Sequence, residues 1–316
     1  MASNIVVNPH FEQGRIVWQD EYSGSYHPVN YGQQFDFEWK LYLEKKAGFH
    51  KHTGVETSDP WIDERIFELT GVEGYIERKT YGLIGHRLLK FIRQKMGYDQ
   101  NRMGVGGRLE LEPKFSIDHF RGKSCLDIGC GAGRWTRALL ALGAKVKSVD
   151  MSEHGLKSTR RYNKDVEKLN LFDIIEKRPD LHGAFDFALC WGVVMCTHDP
   201  KVAFDNVAAT VKDDGELYTM IYAPEGMHNT EKVIEQRRYY HTELASIEEK
   251  LAYAYEISEV PGNVIGYLDM LHTFYNWVVP EEVIYGWYRR HGFKKVITLN
   301  ASERYKCAYH VLGTKG

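Results

Sequence analysis

The chain has no run approaching the ~20 consecutive apolar residues that a membrane-spanning helix requires, so membrane insertion is not expected. Neither charge is in surplus: 41 Lys and Arg face 43 Asp and Glu, a formal net charge of -2. Without extra cations to neutralise a phosphate backbone, nucleic acid is a poor partner. Cysteine is scarce. Cys125, Cys130, Cys190, Cys196 and Cys307 are odd in number, scattered and outside C-x-x-C spacing, which points to reduced thiols rather than a disulfide framework. His50 and His52 stand close together, but no Cys or acid accompanies them at ligand spacing, so no metal is expected. Residues 1–10 have neither a basic start nor an apolar run, and the expectation is a cytoplasmic protein. Residues 1–118 show no internal repeat and no low-complexity segment, which favours ordered structure over a disordered tail there.

What is present is an α/β alternation. From Lys123 onward, strand-like apolar runs predict strands at Ser124–Ile128, Lys145–Val149, Val166–Phe172, Phe185–Trp191, Glu216–Tyr222, Lys294–Leu299 and Cys307–Leu312. Helical spacing between them falls at Arg134–Leu142, Glu153–Asn163, Lys201–Val211 and Glu281–His291. Residues 1–118 read as an aromatic-rich N-terminal extension, with helices near Asp63–Leu69 and Leu83–Lys95 and a Gly-rich linker at Gly104–Gly107. Residues 119–316 read as the main domain. Within it, about 225–279 is far longer than an α/β connection needs, and its Glu, Lys, Arg, Leu and Ala content predicts a helical hairpin over the sheet's carboxyl edge.

The chemistry is carried by Cys125-Leu126-Asp127-Ile128-Gly129-Cys130-Gly131-Ala132-Gly133, an apolar strand running into three glycines and then a helix. Glycine lets a ligand lie against bare backbone, and the helix N-terminus offers free N–H groups to a carboxylate. A dinucleotide loop wants Gly or Ala three positions after the second glycine, where this chain has Arg134. Asp150 follows at the end of the next strand, placed for a carboxylate to hold both hydroxyls of a ribose.

These stretches, with Val149-Asp150, resemble the first two motifs of the class I S-adenosylmethionine-dependent methyltransferases. Phe185-Asp186-Phe187-Ala188-Leu189-Cys190-Trp191-Gly192-Val193 is similar to the family's fourth strand, and Val211-Lys212-Asp213-Asp214-Gly215 to the turn before its fifth. The resemblance implies a Rossmann-like seven-stranded sheet with the last strand antiparallel and helices on both faces. It implies S-adenosylmethionine as cofactor and S-adenosylhomocysteine as product. Asp127, Gly129, Cys130, Gly131 and Gly133 would lie at the methionine part, Asp150 on the ribose, and Met151 against the adenine. Leu171, Phe172 and Asp173 would surround the adenine edge, and Trp191 and Gly192 would face the sulfonium.

The resemblance breaks after the fourth strand. Many small-molecule members carry a histidine pair there, whereas this chain has Met195 and Cys196. His198 and His228 become the candidate general bases, because an imidazole near neutral pKa can take a proton from an acceptor hydroxyl. Tyr22, Cys196, His198, Tyr222 and His272 are expected to face the acceptor. The aromatic run Trp18, Tyr22, Tyr26, Tyr31, Phe35, Phe37 and Trp39 predicts either a lid or a packed helix. The nucleobase-amine signature N/D/S-P-P-Y/F/W is replaced by Trp191-Gly192-Val193-Val194. The expected activity is methyl transfer to an oxygen or nitrogen of a small molecule such as a sugar, lipid, quinone or secondary metabolite. The alternatives are a non-catalytic module that binds the cofactor and a protein or RNA methyltransferase.

Overall fold

The computed structural model describes residues 16–43, 59–95, 111–258 and 264–316. Its strands are β1 (Ser124–Ile128), β2 (Lys145–Asp150), β3 (Val166–Lys168), β4 (Phe185–Trp191), β5 (Val211–Tyr222), β6 (Phe293–Thr298) and β7 (Ala308–Lys315). They form one sheet in the order β3-β2-β1-β4-β5-β7-β6. The first five strands pair in parallel, while β7 runs antiparallel to both β5 and β6. The sequence expectation of a Rossmann-like sheet with an antiparallel last strand therefore holds. Strand order reverses between β1 and β4, and that switch point opens a crevice at the strands' carboxyl ends.

The helices are α1 (Tyr31–Leu43), α2 (Asp59–Thr70), α3 (Tyr75–Lys95), α4 (Arg134–Ala141), α5 (Glu153–Thr159), α6 (Ile174–Lys177), α7 (Pro200–Ala209), α8 (Glu231–Thr242), α9 (Ile247–Ile257), α10 (Val264–His272) and α11 (Glu281–Arg290). One core, with Phe204, Trp277, Trp287 and Tyr288, packs β1, β4 and β5 against α7 and α11. A second, on the opposite side, joins Ile62, Ile66 and Leu69 of α2 to Trp135 and Leu139 of α4 and to Phe187. The sheet is thus covered on both faces, as parallel strands require.

Three details differ from the sequence expectations. β3 stops at Lys168, because the Asn170 side chain accepts the Phe172 N–H and turns Leu171–Asp173 into a 3₁₀ turn. β5 begins at Val211 rather than Glu216, with a register shift opposite Phe185 and Phe187 that absorbs the turn at Asp214. Among the described residues the long insertion carries α8, α9 and α10, three helices where a hairpin was expected. A capping box at Ser246 and Glu249 starts α9 soon after α8 ends, and Val233, Tyr240, Ala254, Leu268 and Leu271 close a small core of their own. Gly104–Gly107, His50 and His52 lie outside the described residues.

The N-terminal extension is tied to the crevice by polar contacts as well as by rings. Asp199 Oδ1 accepts the Val202 N–H to cap α7, while Oδ2 accepts both Ser23 Oγ and the Gly24 N–H at 2.8 Å. Trp18, Tyr22 and Tyr26 pack around Trp277. Asp199→Ala removes a helix cap and this clamp together. It is expected to destabilise the fold by about 2 kcal/mol and to speed proteolysis near residue 24, read from denaturant midpoints and cleavage mapping.

Candidate functional site

The crevice holds a cavity of about 160 Å³ whose wall comes from the loops after β1, β2, β3 and β4, the end of β5, and helices α1 and α10. At its floor the chain leaves β1 with Gly129 and Gly131 at φ 69° and 51°, in the left-handed region. A Cβ at Gly129 would fall 2.2 Å from Val193 Cγ2, and one at Gly131 would fall 2.1 Å from the Trp39 ring. Only glycine admits both the backbone angle and the close neighbour. The loop is pinned by the Gly129 and Cys130 N–H groups, which both donate to Val149 O.

Asp150 joins this loop to the cavity. Its Oδ2 accepts the Gly131 N–H at 2.8 Å and its Oδ1 the Ser152 N–H at 2.7 Å, while the residue also lines the cavity. Burial raises its pKa above the usual carboxylate range, against the pull of those N–H groups. Asp127 is buried in β1 away from the cavity wall. It accepts Thr136 Oγ1 at 2.6 Å, and Thr136 in turn meets Ser148 of β2. Burial lifts Asp127 to about 7. Its place is a brace between β1, β2 and α4.

Among the residues expected at the cofactor, Gly129, Asp150, Met151, Leu171, Phe172, Trp191 and Gly192 line the cavity. Gly131 stands beneath Trp39, and Cys130 is buried behind the loop. Gly133 caps α4 in the left-handed conformation. Asp173 pairs with Lys177 at 2.9 Å, outside the wall. Arg134, at the first position of α4, lines the cavity with its guanidinium 4.4 Å from the centre of the Trp191 ring.

Of the expected acceptor residues, Tyr222 alone lines the cavity. Tyr22 packs in the Trp18–Trp277 cluster, and Cys196 Sγ lies 3.6 Å from Gly192 O. The histidines stand behind the wall. His198 Nδ1 lies 2.7 Å from Tyr31 Oη, so the tyrosine is between it and the cavity, and burial lowers the imidazole pKa. His228 stacks on Tyr222 with ring centres 3.8 Å apart, and burial lowers it to about 3. His272 meets Tyr240 Oη at 3.0 Å and is lowered to about 4. Such rings stay neutral near pH 7 and are weak bases.

The sequence reading missed two acids. Glu38 of α1 and Asp269 of α10 both line the cavity. Glu38 had a visible signal, a carboxylate inside the aromatic helix Phe35-Asp36-Phe37-Glu38-Trp39. Asp269 had none, since only the fold brings α10 beside α1. Helix α1 is held there by Asp36, which accepts Ser152 Oγ and the His154 N–H, and by Gln34 Oε1, which accepts the Phe274 N–H. Of the aromatic run, Tyr31, Phe35 and Trp39 line the cavity, whereas Phe37 packs on His272. Among the described residues no group of three His, Cys, Asp or Glu side chains is arranged to hold a metal, and no helix is long and apolar enough to cross a membrane.

Residues 105–296, more than half of the chain, match the family model described as a methyltransferase domain. Among curated proteins, the ubiquinone biosynthesis O-methyltransferase of Actinobacillus pleuropneumoniae serotype 5b (strain L20) is 26% identical over 141 residues, 36% of this chain and 60% of that one. The enzyme of the same name from Coxiella burnetii (strain Dugway 5J108-111) is 33% identical over 104 residues, 31% of this chain and 43% of that one. The match therefore spans about half the length of these relatives. A solved Listeria monocytogenes structure, a putative S-adenosylmethionine-dependent methyltransferase, aligns at 17% identity and a TM-score of 0.42, covering 62% of this chain and 93% of that one.

Proposed function

The chain belongs to the methyltransferase-domain family, and from that premise we propose that it transfers the methyl group of S-adenosylmethionine to an oxygen or nitrogen of a small molecule. The observation that carries this is the cavity at the switch point, where bare backbone at Gly129 and the carboxylate of Asp150 share one wall with Met151, Leu171 and Phe172. These residues fit an adenosyl amino acid. A flat base suits the apolar slot between Met151, Leu171 and Phe172, and Asp150 has lone pairs left over from its two N–H partners for ribose hydroxyls. When bound, the cofactor supplies an electrophilic methyl on a sulfonium.

The chain's own part is alignment and exclusion of water. In-line displacement gains much of its rate from holding nucleophile and methyl in register. Tyr31, Phe35 and Trp39 on α1 cover the crevice from above, and their ring faces favour a positive sulfonium. Purified protein is expected to gain thermal stability with S-adenosylhomocysteine. It is also expected to release that product steadily once a competent acceptor is supplied, which a binding-only module would not do. A folded sample showing no heat shift with the cofactor or its product would refute the proposal.

A further inference from the structure

We infer that the outward face of helix α3 is a docking surface for an anionic lipid bilayer, lying in the headgroup region without crossing it. No residue of α3 lines the cavity, so this role stands apart from methyl transfer. The helix is pinned from its inner side. Asp63 of α2 accepts the Ile76 and Glu77 N–H groups, and Tyr75 and Ile76 pack on the second core. Gly82, at φ 70° and ψ 174°, breaks the helix, and the buried Glu77 reaches across the break to His86 Nδ1 at 2.8 Å. Gly74 permits that closure, because a Cβ on it would fall 2.2 Å from the imidazole. Lys90 Nζ meets Glu73 at 2.7 Å and ties down the next turn.

With His86 turned inward, Ile84, Leu88 and Phe91 fall on the opposite side of the helix at spacings of four and three. Ile84 is 83% exposed, and Leu88 and Phe91 are each more than half exposed. Tyr81, Leu83 and Ile92 extend the patch. The other large apolar side chains exposed among the described residues stand singly, which is ordinary, whereas a contiguous stripe marks a surface that is covered in use.

Charge selects what covers it. From Arg78 to Lys95 the sequence has Arg and Lys but no Asp or Glu, in a chain whose net charge is -2. Glu73 takes up Lys90, while Arg78, Lys79, Arg87 and Lys95 are exposed. Lys95 Nζ lies 5.7 Å from the centre of the Phe91 ring, so cation and stripe share one face. Two copies packed stripe to stripe would bring these cations together, and a nucleic acid would leave the aliphatic side chains uncovered. An anionic bilayer satisfies both features, with phosphates for the cations and the acyl boundary for Ile84, Leu88 and Phe91. No helix among the described residues is long and apolar enough to cross a membrane, which agrees with a helix lying in the surface.

The test is sedimentation of the full chain with vesicles of phosphatidylcholine alone and of phosphatidylcholine mixed equally with phosphatidylglycerol. Partitioning onto the anionic vesicles is expected to be at least about tenfold stronger, and to weaken as salt shortens the screening length. The double variant Ile84→Glu/Leu88→Glu is expected to lose about 30-fold in partitioning, with its fold checked by circular dichroism. Arg78→Gln/Arg87→Gln, which leaves the stripe intact, is expected to lose about tenfold on anionic vesicles. Binding left unmoved by both variants would overturn the inference, as would equal binding to the two vesicle types. So would no binding to either, whether residues 96–110, a protein partner or a second copy covers the face; a dimer that Ile84→Glu/Leu88→Glu dissolves, seen by light scattering, would identify the second copy.

Discussion

Asp150→Ala is expected to weaken S-adenosylhomocysteine binding by roughly 10²–10⁴-fold, read by calorimetry on protein whose fold is checked by circular dichroism. The magnitude follows from two hydrogen bonds between ribose hydroxyls and one carboxylate, each contributing about 1.5–3 kcal/mol when the acceptor is charged. Alanine also strips the acceptor from the Gly131 and Ser152 N–H groups, so the melting temperature should fall as well. Affinity is therefore compared well below both midpoints. A second signature separates a direct role from loosening of the loop. Burial raises the Asp150 pKa, so acid converts it to a form with less accepting capacity. Affinity in the unaltered protein should decline as pH drops from neutral through that raised pKa, and the decline should be missing in the alanine variant. Unchanged affinity in folded Asp150→Ala would remove the main support for the cofactor assignment.

Much of this arrangement is legible in the sequence because it is local. The β1 strand, the glycine loop and Asp150 lie within twenty-six residues, Cys125 to Asp150, and the expectation for them rests on that spacing and on a family resemblance. The strand list succeeds for the same reason, since alternation in a parallel sheet is set by short apolar runs between helices. The errors fall where side chains overrule pattern. Nothing in the apolar run Leu169–Phe172 announces that Asn170 will bend it into a 3₁₀ turn. The acceptor wall was the least legible part. Histidines stood out by residue type, yet His228 and His272 turn to tyrosine partners behind the cavity. The groups that do face it, Glu38 and Asp269, are separated by more than two hundred residues and meet only through the packing of α1 on α10. Tertiary placement, not motif, decides which polar group reaches a cavity.

The same packing makes Gly131→Ala a damaging methyl. Two costs add. At φ 51° an L-residue costs about 1–2 kcal/mol relative to glycine, and the new Cβ would sit 2.1 Å from the Trp39 ring, an overlap that forces the ring and α1 outward. Overpacking of this kind costs about 1–3 kcal/mol more. The sum, about 2–5 kcal/mol, is expected to lower the melting temperature by roughly 5–15 °C. Because Trp39 and Glu38 are neighbours on α1 and both line the cavity, displacement of the ring also shifts the cavity wall, so cofactor binding should weaken as well. The decisive arm is the double variant. In a Trp39→Ala background the ring that the added methyl overlaps is gone, and Gly131→Ala should cost mainly the backbone share. A coupling of about 1–3 kcal/mol between the two sites then measures how firmly α1 closes over the loop. Additive effects, with no coupling, would mean that the helix does not rest on the glycine turn and that the cavity is not closed from above.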